Sequence, residues 1–182
     1  MKKVFGISIV LIIIDQLLRY YAQYNLYDKI IGNKHFGLTY RINYGIYLHP
    51  NANKYFMLLL AIAFLIILFF SYFAYEYYCT HIRRSTLIDI AYASLIASIL
   101  GNVYIDRIIF GYVRDYIITP IAIANLADIL IEISIFLLIL EMIINKEARK
   151  LLRKDFNLKN IKIFLIYIIN KLDKKDNSDK LK

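Results

Sequence analysis

Residues 55–76 read YFMLLLAIAFLIILFFSYFAYE, and no charge interrupts them before Glu76. At 1.5 Å per residue, a helix of that length crosses the roughly 30 Å hydrocarbon core of a bilayer. The stretch lacks the polar stripe that a surface helix of a soluble domain carries. Further apolar blocks lie at about 4–23, 86–106 and 120–144. With 60% of its 182 residues hydrophobic, the chain is more apolar than an ordinary soluble domain. The expected fold class is an all-α membrane protein, a four-transmembrane-helix bundle.

The first block follows Lys2 and Lys3, as a secretory signal would. Asp15, Gln16 and Arg19 stand where a cleavage site would need small residues, so a retained helix is expected. If both termini are cytoplasmic, Lys2, Lys3, Arg83, Arg84 and the 12 Lys/Arg from Lys146 onward lie inside. The outside then receives Arg19, Lys29, Lys34, Arg41, Lys54, Arg107 and Arg114, which fits the positive-inside rule. The outer segment at about 25–54 contains LTYRINYGIYL, Leu38 to Leu48, which reads as strand and predicts a small extracytoplasmic sheet between helices 1 and 2. Residues 1–145 form the expected transmembrane domain and 146–182 a basic cytoplasmic tail, with an interfacial amphipathic helix at IFLIYII and a disordered end.

The net charge of +9 would suggest nucleic acid as a partner for a soluble domain. Here the basic residues flank apolar blocks or crowd the C-terminus, which suits an anionic membrane surface and predicts no nucleic-acid partner. The single cysteine, Cys79, excludes an intrachain disulfide. His35, His49 and His81 are scattered and no HExxH occurs, so no metal and no cofactor is expected.

Carboxylates in an apolar block are costly, roughly +2.5 to +3.5 kcal/mol for Asp at a helix centre, which makes them functional candidates. Asp15, Asn102, Asp106, Arg107, Asp115 and Asp128 all fall on the outer side of the predicted bilayer, contributed by different spans. Each has a plainer reading. Asp15 can pair with Arg19 four residues on. Asp106 and Arg107 can be an ordinary charged helix end. Asp89 sits near the inner start of a helix, where the dipole favours it, and is expected to be structural. Tyr20, Tyr21, Tyr24, Tyr75, Tyr77 and Tyr78 suit interfacial belts and need no further role. Asp128, expected about eight residues, or ~12 Å, into the fourth span, is the hardest to explain away. It has no opposite charge within a turn, and Asn125 is its nearest polar companion. A structural, hydrogen-bonded aspartate is its plainer reading. Two approaching carboxylates share a proton, and such a pair can deprotonate water while protonating a carbonyl oxygen or a leaving nitrogen. Asn102, Arg107 and Asn125 could orient the pair or a substrate carbonyl.

Four ordered motifs resemble those of the lipoprotein signal peptidases, signal peptidase II. The family's DQxxK matches Asp15-Gln16-Leu17-Leu18-Arg19, and its NxG matches Asn43-Tyr44-Gly45. Its GN…DRxxxGxVxDF block matches Gly101-Asn102, Asp106-Arg107, Gly111, Val113, Asp115 and Tyr116, and its FNxAD matches Ala124 to Asp128. The resemblance implies a four-helix bundle with an outer β-cradle, catalytic aspartates at Asp115 and Asp128, and site-shaping groups at Asp15, Asn43, Gly45, Asn102, Arg107 and Asn125. It implies an aspartic endopeptidase of the bacterial cytoplasmic membrane, with membrane lipids as neighbours. Its substrates would be prolipoproteins, cut just before a diacylglyceryl-cysteine. A monomer is expected.

The chain departs from the family in several places. Arg19 replaces lysine, and Tyr116 and Ala124 replace phenylalanines. The usual GNxxDR reads GNVYIDR, one residue longer. An extra helical residue rotates what precedes it by ~100°, so a local bulge must absorb it if Asn102 is to face the site. The loop from Asp115 to Asp128 is short, and the two acids meet only if helix 3 ends before Gly111 and Asp115 leads into the turn at Pro120. An inactive relative that holds lipidated peptides is the alternative. An ion or proton carrier is disfavoured because the charged residues cluster towards one face.

Overall fold

The computed structural model describes residues 1–44, 54–149 and 158–179. The order is α1 (Lys2–Asn25), β1 (Ile31–Gly32), β2 (Gly37–Asn43), α2 (Lys54–His81), α3 (Thr86–Phe110), β3 (Val113–Ile118), β4 (Ile123–Ala124), α4 (Leu126–Ile144) and α5 (Leu158–Asp179). Among the described residues, three helices, α1, α2 and α3, are long and apolar enough to cross a membrane. The 19 residues of α4 are strongly apolar but include Asp128, Glu132 and Glu141.

The most enclosed helix is α3, packed between α1 and α4. Its buried face carries Ala91, Ala93 and Ala97, small residues that let neighbouring backbones approach in lipid. The Ser8 hydroxyl spans the α1–α3 contact, donating to the Ala93 carbonyl at 3.2 Å. In contrast, α2 leaves Leu58, Leu59, Ile62, Leu65 and Ile66 exposed, which is the surface a hydrocarbon solvent calls for.

Two tyrosines have roles beyond an aromatic belt, contrary to expectation. Tyr75 donates to Asp89 at 2.6 Å, and Tyr78 donates to Glu141 at 2.7 Å. Both carboxylates are buried, so each needs such a donor. Asp89 also accepts from Arg84 and stands at the start of α3, in agreement with a structural role.

The sheet is four-stranded and antiparallel in the order β1-β2-β3-β4. The segment between α1 and α2 supplies only half of it. Residues after α3 supply β3 and β4, which the apolar pattern had assigned to loop and helix. The register steps from Leu38↔Ile117 to Arg41↔Asp115, so β2 carries one extra residue there. The bulge puts Arg41 opposite Asp115 and leaves Asn43 two residues further along β2, on the same face. Gly45, with the rest of the predicted strand beyond Tyr44, lies outside the described residues.

From Leu100 to Phe110, α3 winds as a π-helix. The wider turn takes up the extra residue of GNVYIDR, and Asn102 keeps its inward aspect. Gly111 then ends the helix with φ +82°, the left-handed conformation that glycine adopts without strain. Thr119 closes a turn past Pro120 by accepting from Ala122 N and donating to its carbonyl. The start of α4 is therefore Leu126, and not 120 as expected. Asn125 caps it, and Asp128, its third residue, bonds back to the Asn125 N–H. Asp128 thus sits in the first turn of α4, where the helix dipole favours its charge.

The apolar patch of the tail lies in a helix, α5, which runs on to Asp179 through residues expected to form a disordered end. Tyr77 on α2 meets the rings of Phe164 and Tyr167, and Lys171 pairs with Glu76.

Gly101 sits where α1, α3 and α4 converge. A Cβ there would lie 3.1 Å from Asp15 Oδ2 and 3.5 Å from the Ala127 Cβ. Gly101→Ala is expected to cost about 1 kcal/mol by overpacking, read as a lower thermal midpoint in detergent.

Candidate active site

Above the helical core, charged side chains form a buried network. Asp106 of α3 is its hub and is fully buried. Its oxygens accept from Arg19 Nη1 at 2.7 Å, from Arg114 Nη2 at 2.7 Å and from the Arg114 backbone N at 2.9 Å. Arg19 also donates through Nε to Asp15 at 2.7 Å. The pairing of Asp15 with Arg19 is thus real, but it is buried and continues across the bundle instead of lying on a helix surface. Two arginines face two aspartates, so the interior charge is balanced. Gln16 accepts from Arg114 Nη2 at 2.6 Å, and the Phe110 ring covers the Arg114 guanidinium at 4.3 Å.

The network reaches the two candidate acids through asparagines. Arg19 Nη2 donates to Asn102 Oδ1 at 2.6 Å, and Asn102 Nδ2 donates to Asp128 Oδ1 at 2.6 Å. The other oxygen of Asp128 accepts from Asn125 N at 3.1 Å. Asp115, on β3, accepts from Asn125 Nδ2 at 2.7 Å and Asn43 Nδ2 at 3.0 Å. Asn125 therefore touches both acids: its amide NH2 holds Asp115 while its backbone holds Asp128. Burial pushes the Asp115 carboxyl above the usual carboxylate range. Donation from Asn125 and Asn43 opposes the shift, and the charge of Asp128 adds to it.

Both acids line one cleft of about 790 Å3, together with Asn43, Asn102, Arg107 and Asn125. Its apolar wall includes Ile42, Ile121, Ile123 and Ile129. Arg107 is close enough to feel the charges of Asp115 and Asp128. Of the predicted site residues, Asp15 alone among the described ones stays off the cleft, one step back behind Arg19.

Four contributors escaped the sequence reading. Arg114 had been counted only as an outer positive charge, although its place directly before Asp115 puts it at the edge of the site. Arg41 and Glu132 also line the cleft. The i+4 spacing of Glu132 from Asp128 was the available signal for that shared face. Tyr116 accepts from Leu126 N at 3.2 Å, which satisfies an N–H at the start of α4 that phenylalanine could not.

Membrane-length helices carrying a cleft with two aspartates at one end define an integral membrane protein with a polar site built into its bundle. Residues 7–144 match the family model described as signal peptidase (SPase) II, and the chain belongs to that family of lipoprotein-processing membrane proteases. A relative named lipoprotein signal peptidase, from Pseudoalteromonas atlantica (strain T6c), is 27% identical over 151 residues, covering 78% of this chain and 89% of its own. A solved structure described as a bacterial membrane enzyme by the in meso method at 2.3 Å resolution superposes with a TM-score of 0.63 at 25% identity. It covers 79% of this chain and 88% of that one. A second, described in the same terms at 1.9 Å resolution, has the same TM-score and identity over 78% of this chain and 93% of that one.

Proposed function

We propose that the chain is an aspartic endopeptidase that removes signal peptides from diacylglyceryl-modified prolipoproteins, with Asp115 and Asp128 as its catalytic pair. The observation that carries this reading is the joining of the two acids by Asn125 at the wall of one cleft. One carboxylate takes a proton from water while the carboxylic acid of the other gives its proton to the scissile carbonyl oxygen. The resulting tetrahedral diol collapses, the C–N bond breaks, and the departing nitrogen takes the proton from the pair. One hydroxyl of the diol returns its proton to the pair as the new carbonyl forms. A carboxylic acid and an amine leave, and the pair again holds one proton. As a coupled pair the aspartates titrate together, so neither is singled out as the acid at rest.

In this reading α4 is a fourth crossing, both termini are cytoplasmic, and the cleft faces the outer leaflet. Support comes from the distribution of basic residues and from the burial of Glu141, which spares α4 one exposed charge. Asn43, Asn102 and Asn125 orient the pair, Arg107 supplies a cation to the cleft, and Asp15 supports Arg19. Gly45 belongs with this group by its motif. The isoleucine wall and the strand edge are suited to hold lipid and extended peptide. The protein acts as a monomer.

The pH dependence tests the pair. Activity needs one proton on it, so cleavage is lost on the acid side when both carboxyls are protonated and on the alkaline side when both ionise. Because Asp115 is shifted upward, the last proton is retained beyond the ordinary aspartate value of ~3.9. A bell-shaped profile of kcat/KM with its alkaline limb well above that value is expected. An alkaline limb at the ordinary value would contradict the pairing.

A further inference from the structure

We infer that Arg19 is a positioning residue that aligns Asp128 through the amide of Asn102, and that this chain needs arginine where the related motif carries lysine. The inference rests on the acid-pair reading above and deepens it.

A guanidinium only donates hydrogen bonds. With Arg19 Nη2 at 2.6 Å, the oxygen of the Asn102 amide must face Arg19, and its NH2 must then face Asp128, where it lies 2.6 Å from Oδ1. The reversed amide would set NH2 against a cation and oxygen against a carboxylate, two repulsive contacts in place of two attractive ones. Arg19 thereby decides which end of Asn102 the catalytic candidate meets. The fork is itself held from three other directions. Nε lies on Asp15 at 2.7 Å, while Nη1 lies on Asp106 at 2.7 Å and on the Arg114 carbonyl at 3.1 Å. Arg19 has no solvent-exposed surface, so no water competes for these bonds.

Lysine brings its donors to a single atom, whereas arginine spreads them over three nitrogens in a plane. An ammonium placed between Asp15 and Asp106 leaves the position of Nη2 empty. The longer GNVYIDR segment sharpens this requirement. Asn102 stands four residues before Asp106, where GNxxDR would make it three, yet one side chain from α1 reaches both. The π-helical turns accommodate the extra residue, and the forked cation spans the two acceptors.

The test uses the full-length protein and a diacylglyceryl-modified precursor, with kcat and KM measured for Arg19→Lys, Asn102→Ala, Asn102→Asp and the Arg19→Lys/Asn102→Ala double variant. Arg19→Lys and Asn102→Ala are each expected to lower kcat about 10- to 100-fold with KM nearly unchanged, and the double variant to be no worse than the poorer single one. Asn102→Asp keeps an acceptor for Arg19 but offers Asp128 no amide donor, so its kcat should fall as far as that of Asn102→Ala. Should Arg19→Lys fail to fold, the inference can still be overturned by Asn102→Asp, since that variant retains the Arg19 contact and wild-type kcat in it would remove the link to Asp128. Wild-type kcat in Arg19→Lys or in Asn102→Asp, or multiplicative losses in the double variant, would overturn the inference. Asp128→Asn run in parallel separates the two levels. If it is inactive while Arg19→Lys cleaves normally, the acid pair stands and the Arg19 role falls. If it cleaves normally, the acid pair falls and takes the Arg19 role with it.

Discussion

Asp128→Asn is expected to lower cleavage of a lipidated precursor by about three to four orders of magnitude, the scale of losing a general acid–base group. The variant should still fold. An Asn side chain at this position can still accept from the Asn125 N–H, so the cap of α4 is weakened by no more than about 1 kcal/mol. Its new NH2 would face the NH2 of Asn102, which already donates to Oδ1. That mismatch disturbs the site without emptying it, and substrate binding should persist. Activity and stability are therefore expected to part company, measured as kcat against the thermal midpoint. A parallel collapse of both would mean that Asp128 serves chiefly as a helix cap.

Asp106→Asn is expected to do the reverse, with its main effect on stability. Asp106 is the anion shared by two guanidiniums, and the Arg19 and Arg114 side chains are 0% and 4% exposed. Neutralising it leaves one carboxylate, Asp15, for two buried cations. Breaking a buried pair by removing one partner costs about 3–5 kcal/mol, because the remaining charge stays desolvated. The Lys171–Glu76 pair offers a contrast, with side chains 41% and 21% exposed. Glu76→Gln should cost no more than about 1 kcal/mol, as for surface pairs. Unfolding in detergent measures both. Equal effects would show that water reaches the Asp106 network and screens it.

Much of this was legible in the sequence, for identifiable reasons. A run such as Tyr55–Glu76 has one stable solution in lipid, so α2 could be read directly, as could α1 and α3. The motifs carried the acids, because a polar residue in an apolar block is rare enough to stand out. Less was visible where lipid and sheet demand the same residues. The run from Ile121 to Ala124 is as apolar as a membrane helix, and only the Thr119 turn and the Asn125 cap reveal that α4 begins late. VRDYII, with its two charges, reads as loop. Arg114 was hidden by the same ambiguity, since a charge beside a span counts equally as a topogenic signal or as a buried partner. A local bulge had been the condition for Asn102 to face the site, and sequence could not decide between that and an Asn102 turned away. The choice depends on Asn102 finding Arg19 and Asp128 as partners, which is a tertiary fact. The hydroxyls of Tyr75 and Tyr78 belong to the same class. At a helix end, a tyrosine that anchors in headgroups and one that satisfies a buried carboxylate look identical until the neighbouring helix is in place.

The most direct test of the central claim is to incubate the purified wild-type protein with a diacylglyceryl-modified precursor and to identify the products by mass. Release of the intact signal peptide, with the lipidated cysteine as the new N-terminus, is the predicted result. Binding of that precursor with no cleavage at any pH would contradict the account and leave a protein that holds lipidated peptides without cutting them.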